Sequence, residues 1–262
     1  MLEATNIHAR IGKKQILHGI DFTAKAGQIT AIVGPNGSGK STLLKAITDE
    51  VEFTGTIRLN GRDTSEMKPW ELAALRGVLP QTTTLAFPFT VIEVVRMGLM
   101  SGTSGDRADV PARALAAVGL EGYAARFYQE LSGGEQQRTQ LARVLCQVWQ
   151  PVVDGIPRWL LLDEPVASLD IGHQLLVMQL VSDYAERGGG VVAVMHDLNL
   201  SAMFAKEIAM IVQGNLLLSG PPENVMQNDV LSKAYGCALT VNTPAASGQS
   251  YVLPHLAVIQ AG

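Results

Sequence analysis

Gly34-Pro35-Asn36-Gly37-Ser38-Gly39-Lys40-Ser41 is a glycine-rich octapeptide ending in a lysine and a hydroxyl, in the spacing G-x-x-x-x-G-K-[ST]. The chemistry this pattern predicts is capture of a polyphosphate. Glycines let successive backbone N–H groups wrap the phosphates without Cβ clashes, and a following helix adds the partial positive charge of its N-terminus. Lys40 then sets a full charge on the β- and γ-phosphates, and Ser41 is placed to ligate Mg2+. A second group, Trp159-Leu160-Leu161-Leu162-Asp163-Glu164, is an apolar run ending in two carboxylates. On the carboxyl edge of a parallel sheet, where the glycine loop also opens, Asp163 reaches the metal. Side chains alternate along an extended segment, so Glu164 points elsewhere and suits the task of polarising an attacking water as general base. A third group, Leu131-Ser132-Gly133-Gly134-Glu135-Gln136-Gln137-Arg138, opens a helix running to about Trp149. Ser132 is a good N-cap and Glu135, three residues on, completes a capping box. Neither requires Gly133-Gly134, which weaken a helix start unless something must approach the backbone closely.

Ile16 to Phe22 and Gln28 to Val33 are β-rich runs separated by Lys25-Ala26-Gly27, the pattern of strand, turn, strand. From Ser41 to Ile47 the period turns helical, with Leu43, Leu44 and Ile47 on one face. Gly55 to Leu59 leads into Asn60-Gly61, a tight-turn dipeptide, so a β-rich layer is expected near the N-terminus. From about Trp70 to Leu145 helix formers take over, with Gly102 to Gly105 as a loop tip and Ala112 to Val118 as an amphipathic helix. Trp159 to Leu162 and Val191 to Met195 are continuous apolar runs of the length of strands covered on both faces, joined by a crossover helix over Gly172 to Ala185. Ile208 to Val212 and Leu216 to Leu218 predict a hairpin around Gly214-Asn215. Leu239 to Asn242 with Tyr251 to Leu253 predict another around Pro244 to Gln249.

The 262 residues are 47% hydrophobic and 17% charged, a profile that folds into a compact core. The net charge of -4 repels a phosphodiester polymer, and the neighbouring basic pair Lys13-Lys14 reads as a solvated turn, so no nucleic acid is expected as a partner. Cys146 and Cys237 stand far apart, outside any C-x-x-C or His-rich setting, which predicts neither a disulfide framework nor a cysteine metal site and fits a reducing cytosol. The N-terminus has no basic stretch followed by an apolar one, and no run of eighteen or so apolar residues occurs. The expectation is a chain that stays in the cytoplasm and does not span a bilayer alone.

With these groups in place, the chain resembles the ABC ATPase family. Leu131 to Arg138 looks like its signature, Gln81 like the Q-loop glutamine, Ser168-Leu169-Asp170 like the D-loop, and His196 like the switch histidine, all in the family's order across roughly residues 2 to 220. The resemblance implies an α/β fold: a RecA-like P-loop NTPase core, an N-terminal antiparallel β layer, and a helical subdomain carrying the signature. It implies one nucleotide-binding domain over 1–262, with a core from about 1–80 and 150–240, a helical subdomain over 82–148 and a C-terminal extension over 240–262. Lys40, Gln81, Glu164 and His196 would be catalytic, and ATP would be held by Gly34, Pro35, Asn36, Gly37, Ser38, Gly39, Lys40, Ser41 and Thr42. Ser41, Gln81 and Asp163 would hold Mg2+. Two copies would pair head to tail, so that Ser132, Gly133 and Gly134 of one cover the ATP on Lys40 of the other. Two copies of a multi-span permease, docking on Leu85 to Met100, and indirectly a periplasmic binding protein would complete an importer on the cytoplasmic face of a bacterial inner membrane.

Leu85 to Val95, where Phe87-Pro88-Phe89 would expose two aromatics, and the long link Gln147 to Arg158 are most similar to hemin-import ATPases, within the group serving iron-siderophores and cobalamin. Import of a ferric siderophore or of cobalamin is the alternative cargo. An exporter ATPase carries the same motifs, direction being set by the permease. A soluble ABC protein acting on ribosomes or DNA would show two cassettes or a long coiled-coil insert, and this chain has neither. Where many family members stack an aromatic on adenine, this sequence has Ile11, which offers apolar contact only.

Overall fold

The computed structural model describes residues 1–83, 85–101, 107–243, 252 and 254. The first layer is an antiparallel sheet of β1 (Leu2–Ile11), β2 (Lys14–Ala24), β4 (Phe53–Leu59) and β5 (Arg62–Asp63), in the order β2-β1-β4-β5. Lys13 and Lys14 lie exposed at the β1–β2 turn, as a solvated pair should. Asn60 (φ 52°) and Gly61 (φ 81°) close β4 onto β5 with Leu59 opposite Arg62, the left-handed pair that a two-residue hairpin requires.

The second layer is a six-stranded sheet, β12-β11-β3-β10-β9-β6. It contains β3 (Ile29–Val33), β6 (Arg76–Leu79), β9 (Trp159–Asp163), β10 (Gly190–Val194), β11 (Glu207–Val212) and β12 (Asn215–Gly220). All pairings in it are parallel except β11 with β12. The turn at residues 25–27 therefore carries the chain from the first sheet to the second instead of closing a hairpin. In β9, Trp159 and Leu161 face the core shared with the first sheet, and Leu160 and Leu162 face the core beneath the helices. β10 divides the same way, with Val192 and Val194 against Val191 and Ala193. Every β9 residue is buried, which is why the run shows no polar alternation in sequence.

Helix α1 (Lys40–Ile47) packs between the sheets and buries Leu43, Leu44 and Ile47. The short α2 (Pro69–Leu75) precedes β6. α3 (Val91–Ser101), α4 (Val110–Ala117) and α5 (Gly133–Gln147) form the helical part, and α6 (Ile171–Glu186) is the crossover between β9 and β10. α7 (Leu198–Phe204), α8 (Pro222–Val225) and α9 (Asn228–Tyr235) follow. Among the described residues, no helix is long and apolar enough to cross a membrane.

Several expectations need correction. Arg76–Leu79 is a strand within the stretch read as helical. Its Arg-Gly-Val-Leu sequence has no period of its own, and pairing with β9 imposes the extended form. The β11–β12 turn is Gln213-Gly214, both at positive φ, one residue earlier than expected, because Val212 pairs with Asn215. Residues 239–242 form no strand, and the loop tip at 102–105 and the hairpin around 244–249 lie outside the described residues. The Gln147 to Arg158 link contains a two-residue hairpin, β7 (Val152–Val153) with β8 (Ile156–Pro157), around left-handed Asp154 and Gly155. Phe87 is 68% exposed, whereas Phe89 is half-buried against the core. Hydrogen bonds from Tyr128 N to Phe89 O and from Val91 N to Arg126 O hold that segment inward, so one aromatic is presented instead of two.

α3 and α5 cross where Gly98 meets the Arg143 main chain. A Cβ at Gly98 would overlap the Arg143 carbonyl oxygen and crowd Cys146. Gly98→Ala is expected to lower stability by about 1–3 kcal/mol through overpacking, read as an earlier midpoint in chemical denaturation with an unchanged slope.

Candidate functional site

Parallel pairing sends the carboxyl ends of β3, β6, β9 and β10 to one edge of the sheet, and the chain leaves each of them through a candidate residue. After β3 comes the 34–39 loop and α1. The loop residue Gly39, at φ 105°, is the N-cap of α1. Lys40 is 5% exposed and its Nζ donates to the carbonyl oxygens of Gly34 (2.8 Å) and Pro35 (3.0 Å), which folds the side chain back over the loop. Burial lowers the lysine's pKa, and the charges of Glu164 and Asp163 oppose that shift. An ammonium has three donors, so one remains for a ligand. The Ser38 hydroxyl is buried in the same loop without a hydrogen-bond partner. A polar atom left so is what an oxygen-rich ligand such as a phosphate would satisfy.

Asp163, at the end of β9, is 3% exposed and accepts a 3.0 Å hydrogen bond from the Ser41 hydroxyl on α1. Burial is the main cause that raises its pKa, with the Ser41 hydrogen bond opposing and Glu164 adding to the rise. A buried carboxylate beside a hydroxyl is a hard-oxygen donor pair. It fits Mg2+, which takes one or two protein oxygens and completes its shell with phosphate and water. No cluster of three or more His, Cys, Asp or Glu occurs among the described residues, and Gln81, the third residue expected at the metal, gives its Nε2 to Glu164.

Glu164 lies just beyond β9 in the left-handed region, φ 53°. Pleat alternation accounts for Asp163, but the direction of Glu164 follows from this backbone turn, a conformation that costs a non-glycine residue on the order of 1–2 kcal/mol. Its Oε1 receives two hydrogen bonds, from Gln81 Nε2 at 3.0 Å and from His196 Nε2 at 2.6 Å. A carboxylate oxygen only accepts, so His196 carries its hydrogen on Nε2. Gln81 follows β6 and His196 follows β10, so three strands converge on one carboxylate.

Ser132, Gly133 and Gly134 form the N-terminus of α5. Ser132 caps α5 in a full capping box with Glu135, Ser132 N donating to Glu135 Oε2 at 2.8 Å, and Ser132 and Gly133 are exposed. Among the described residues they make no hydrogen bond to the 34–42 loop. Thr42 is buried in α1. Ile11, at the end of β1, is 56% exposed and so available for apolar contact. One residue that sequence reasoning passed over is Gln137, whose side chain contacts the 164–168 segment. Within the signature it reads as one of two adjacent glutamines, with nothing local to single it out.

The chain matches the ABC transporter family over residues 17–167. It is 63% identical over 256 residues to the hemin import ATP-binding protein HmuV of Roseobacter denitrificans, covering 98% of each chain. It is 55% identical over 262 residues to the protein of the same name in Mesorhizobium japonicum, covering 98% of this chain and 100% of that one. Among solved structures, it is similar to the dimeric post-hydrolysis state of the ATP-binding cassette MJ0796 bound to ADP and Pi. There the TM-score is 0.73 at 26% identity, over 85% of this chain and 99% of that one.

Proposed function

The chain belongs to the ABC transporter family and is an ATP-hydrolysing subunit, and from that premise we propose that it energises the import of hemin through a separate membrane permease. The observation that carries the cargo is the 63% identity over 98% of both chains to a hemin import ATP-binding protein, with no large insertion that would set this chain apart. The permease, its docking on the segment that presents Phe87, the periplasmic binding protein and a position on the cytoplasmic face of the inner membrane all follow from that reading.

In the proposed chemistry, the 34–42 segment with Lys40 holds the triphosphate, and Ser41, Asp163 and the Gln81 side chain hold Mg2+. Bound there, Mg2+ would neutralise phosphate charge as a Lewis acid. Glu164 orients and deprotonates the attacking water, and Gln81 and His196 keep its carboxylate in place. His196 also reaches the γ-phosphate when the ligand is bound. Phosphoryl transfer asks little covalent help of a protein, so positioning and charge stabilisation supply the rate. Ser132, Gly133 and Gly134 complete the site of a second copy. That they make no hydrogen bond to the Lys40 loop of their own chain, among the described residues, supports this head-to-tail arrangement.

An in-frame deletion of this reading frame tests the cargo. Growth on hemin as the sole iron source should be lost while growth on a ferric siderophore persists. The parental gene should restore hemin growth and the Glu164→Gln form should not. Siderophore growth lost with hemin growth kept would reassign the cargo.

A further inference from the structure

The 164–168 segment, which leads away from Glu164, is tied to the signature helix of the same chain by a single side chain. Gln137, one turn into α5, donates from Nε2 to the Glu164 carbonyl oxygen at 2.7 Å and accepts at Oε1 from Ser168 N at 3.3 Å. The two contacts dictate the orientation of the amide, since a carbonyl only accepts and a backbone N–H only donates. Glutamate lacks the donor, lysine lacks the acceptor, and asparagine is one methylene short. The helix also lies close against this segment: a Cβ on Gly134 would sit 3.1 Å from Ser168 O and 3.2 Å from a Leu169 methyl. The Glu164 carbonyl accepts a second bond, from Ala167 N at 3.3 Å, so the left-handed turn at Glu164 is held from both sides.

We infer that Gln137 is a positioning residue that sets the Glu164 carboxylate through its main chain and thereby links the two ATP sites of the dimer. This rests on the head-to-tail reading above. In it, the Ser132 end of α5 covers the partner copy's nucleotide while Gln137, on the same helix, holds the base of its own site. Any shift of α5 as it closes on the partner's phosphates is passed to the Glu164 peptide, so filling one site aligns the general base of the other.

The test uses the purified full chain, Mg-ATP as ligand, and the variants Gln137→Met, which removes both hydrogen bonds at similar volume, and Gln137→Glu, which retains the acceptor alone. In both, kcat should fall roughly tenfold or more at a temperature where the variant is fully folded, while KM stays near parental and Tm drops only by the few degrees that one to two hydrogen bonds are worth. A cooperative dependence of rate on ATP in the parental protein should flatten to a hyperbola. Parental kcat and cooperativity in the variants, or a loss of kcat seen only where the variant is partly unfolded, would overturn the role of Gln137 and leave the dimer reading intact. If the Glu164→Gln protein stays monomeric at saturating Mg-ATP, the dimer reading fails and the link between sites fails with it.

Discussion

Replacing Glu164 by glutamine is expected to lower kcat for ATP roughly 10²–10⁴-fold, the range for losing a positioned general base, with ATP affinity close to parental. The expectation comes from geometry. A glutamine amide retains an oxygen that can accept from Gln81 Nε2 and His196 Nε2, the two donors that hold the carboxylate at 3.0 and 2.6 Å. Shape and backbone at the turn are therefore preserved, and what is lost is the proton acceptor. On the proposed reading, phosphate contacts lie on Lys40 and its loop and do not involve this side chain. An ATP-filled dimer should accumulate on the head-to-tail reading, in which closure needs only bound ATP and opening needs hydrolysis. Single-turnover rates and size-exclusion chromatography with Mg-ATP provide the check. A monomeric variant hydrolysing at the parental rate would remove both the base role of Glu164 and the covering role of Ser132.

Lys40→Ala is expected to weaken ATP binding about 10- to 150-fold, the equivalent of one hydrogen bond to a charged group, and to reduce hydrolysis further because the charge is felt most in the transition state. Without ligand the variant should be at least as stable as the parent. Burial lowers the pKa of Lys40 in the folded chain, so folding disfavours its charged form. A base shifted downwards opposes folding throughout the pH range below its folded pKa, and the penalty fades as pH rises towards the ordinary lysine value. At neutral pH the substitution removes that penalty, and water replaces the ammonium at the Gly34 and Pro35 carbonyls. Thermal unfolding with and without Mg-ATP separates the effects: the parent should gain stability from the ligand and the variant should gain little. A variant less stable than the parent without nucleotide, yet equally stabilised by Mg-ATP, would show Lys40 to be a structural tie of the loop.

Much of the site was legible because its signals are local. The glycine loop, the capping box at Ser132 and Glu135, the Asn60-Gly61 turn and the buried strand at Trp159 each depend on residues within a few positions of one another, and all four take the expected form. Misreadings occurred where a distant partner overrode local preference. Arg76–Leu79 became a strand because β9 offered it an edge, and Phe89 turned inward because Tyr128 and Arg126 hold its neighbours.

Groups able to meet a triphosphate can be picked out from the residue order alone, since phosphate capture, helix capping and tight turns are written in short spacings of glycine, hydroxyl and charge. Which of them act on one another depends on the assembled fold. Ser41 reaches Asp163 across 122 positions, and Glu164 meets Gln81 and His196 across 83 and 32. These meetings follow from parallel strands ending at one sheet edge, an arrangement set by packing on both faces of the sheet and written in no single segment. Gln137 belongs to the same class, because its two hydrogen bonds exist only where α5 lies against the 164–168 turn.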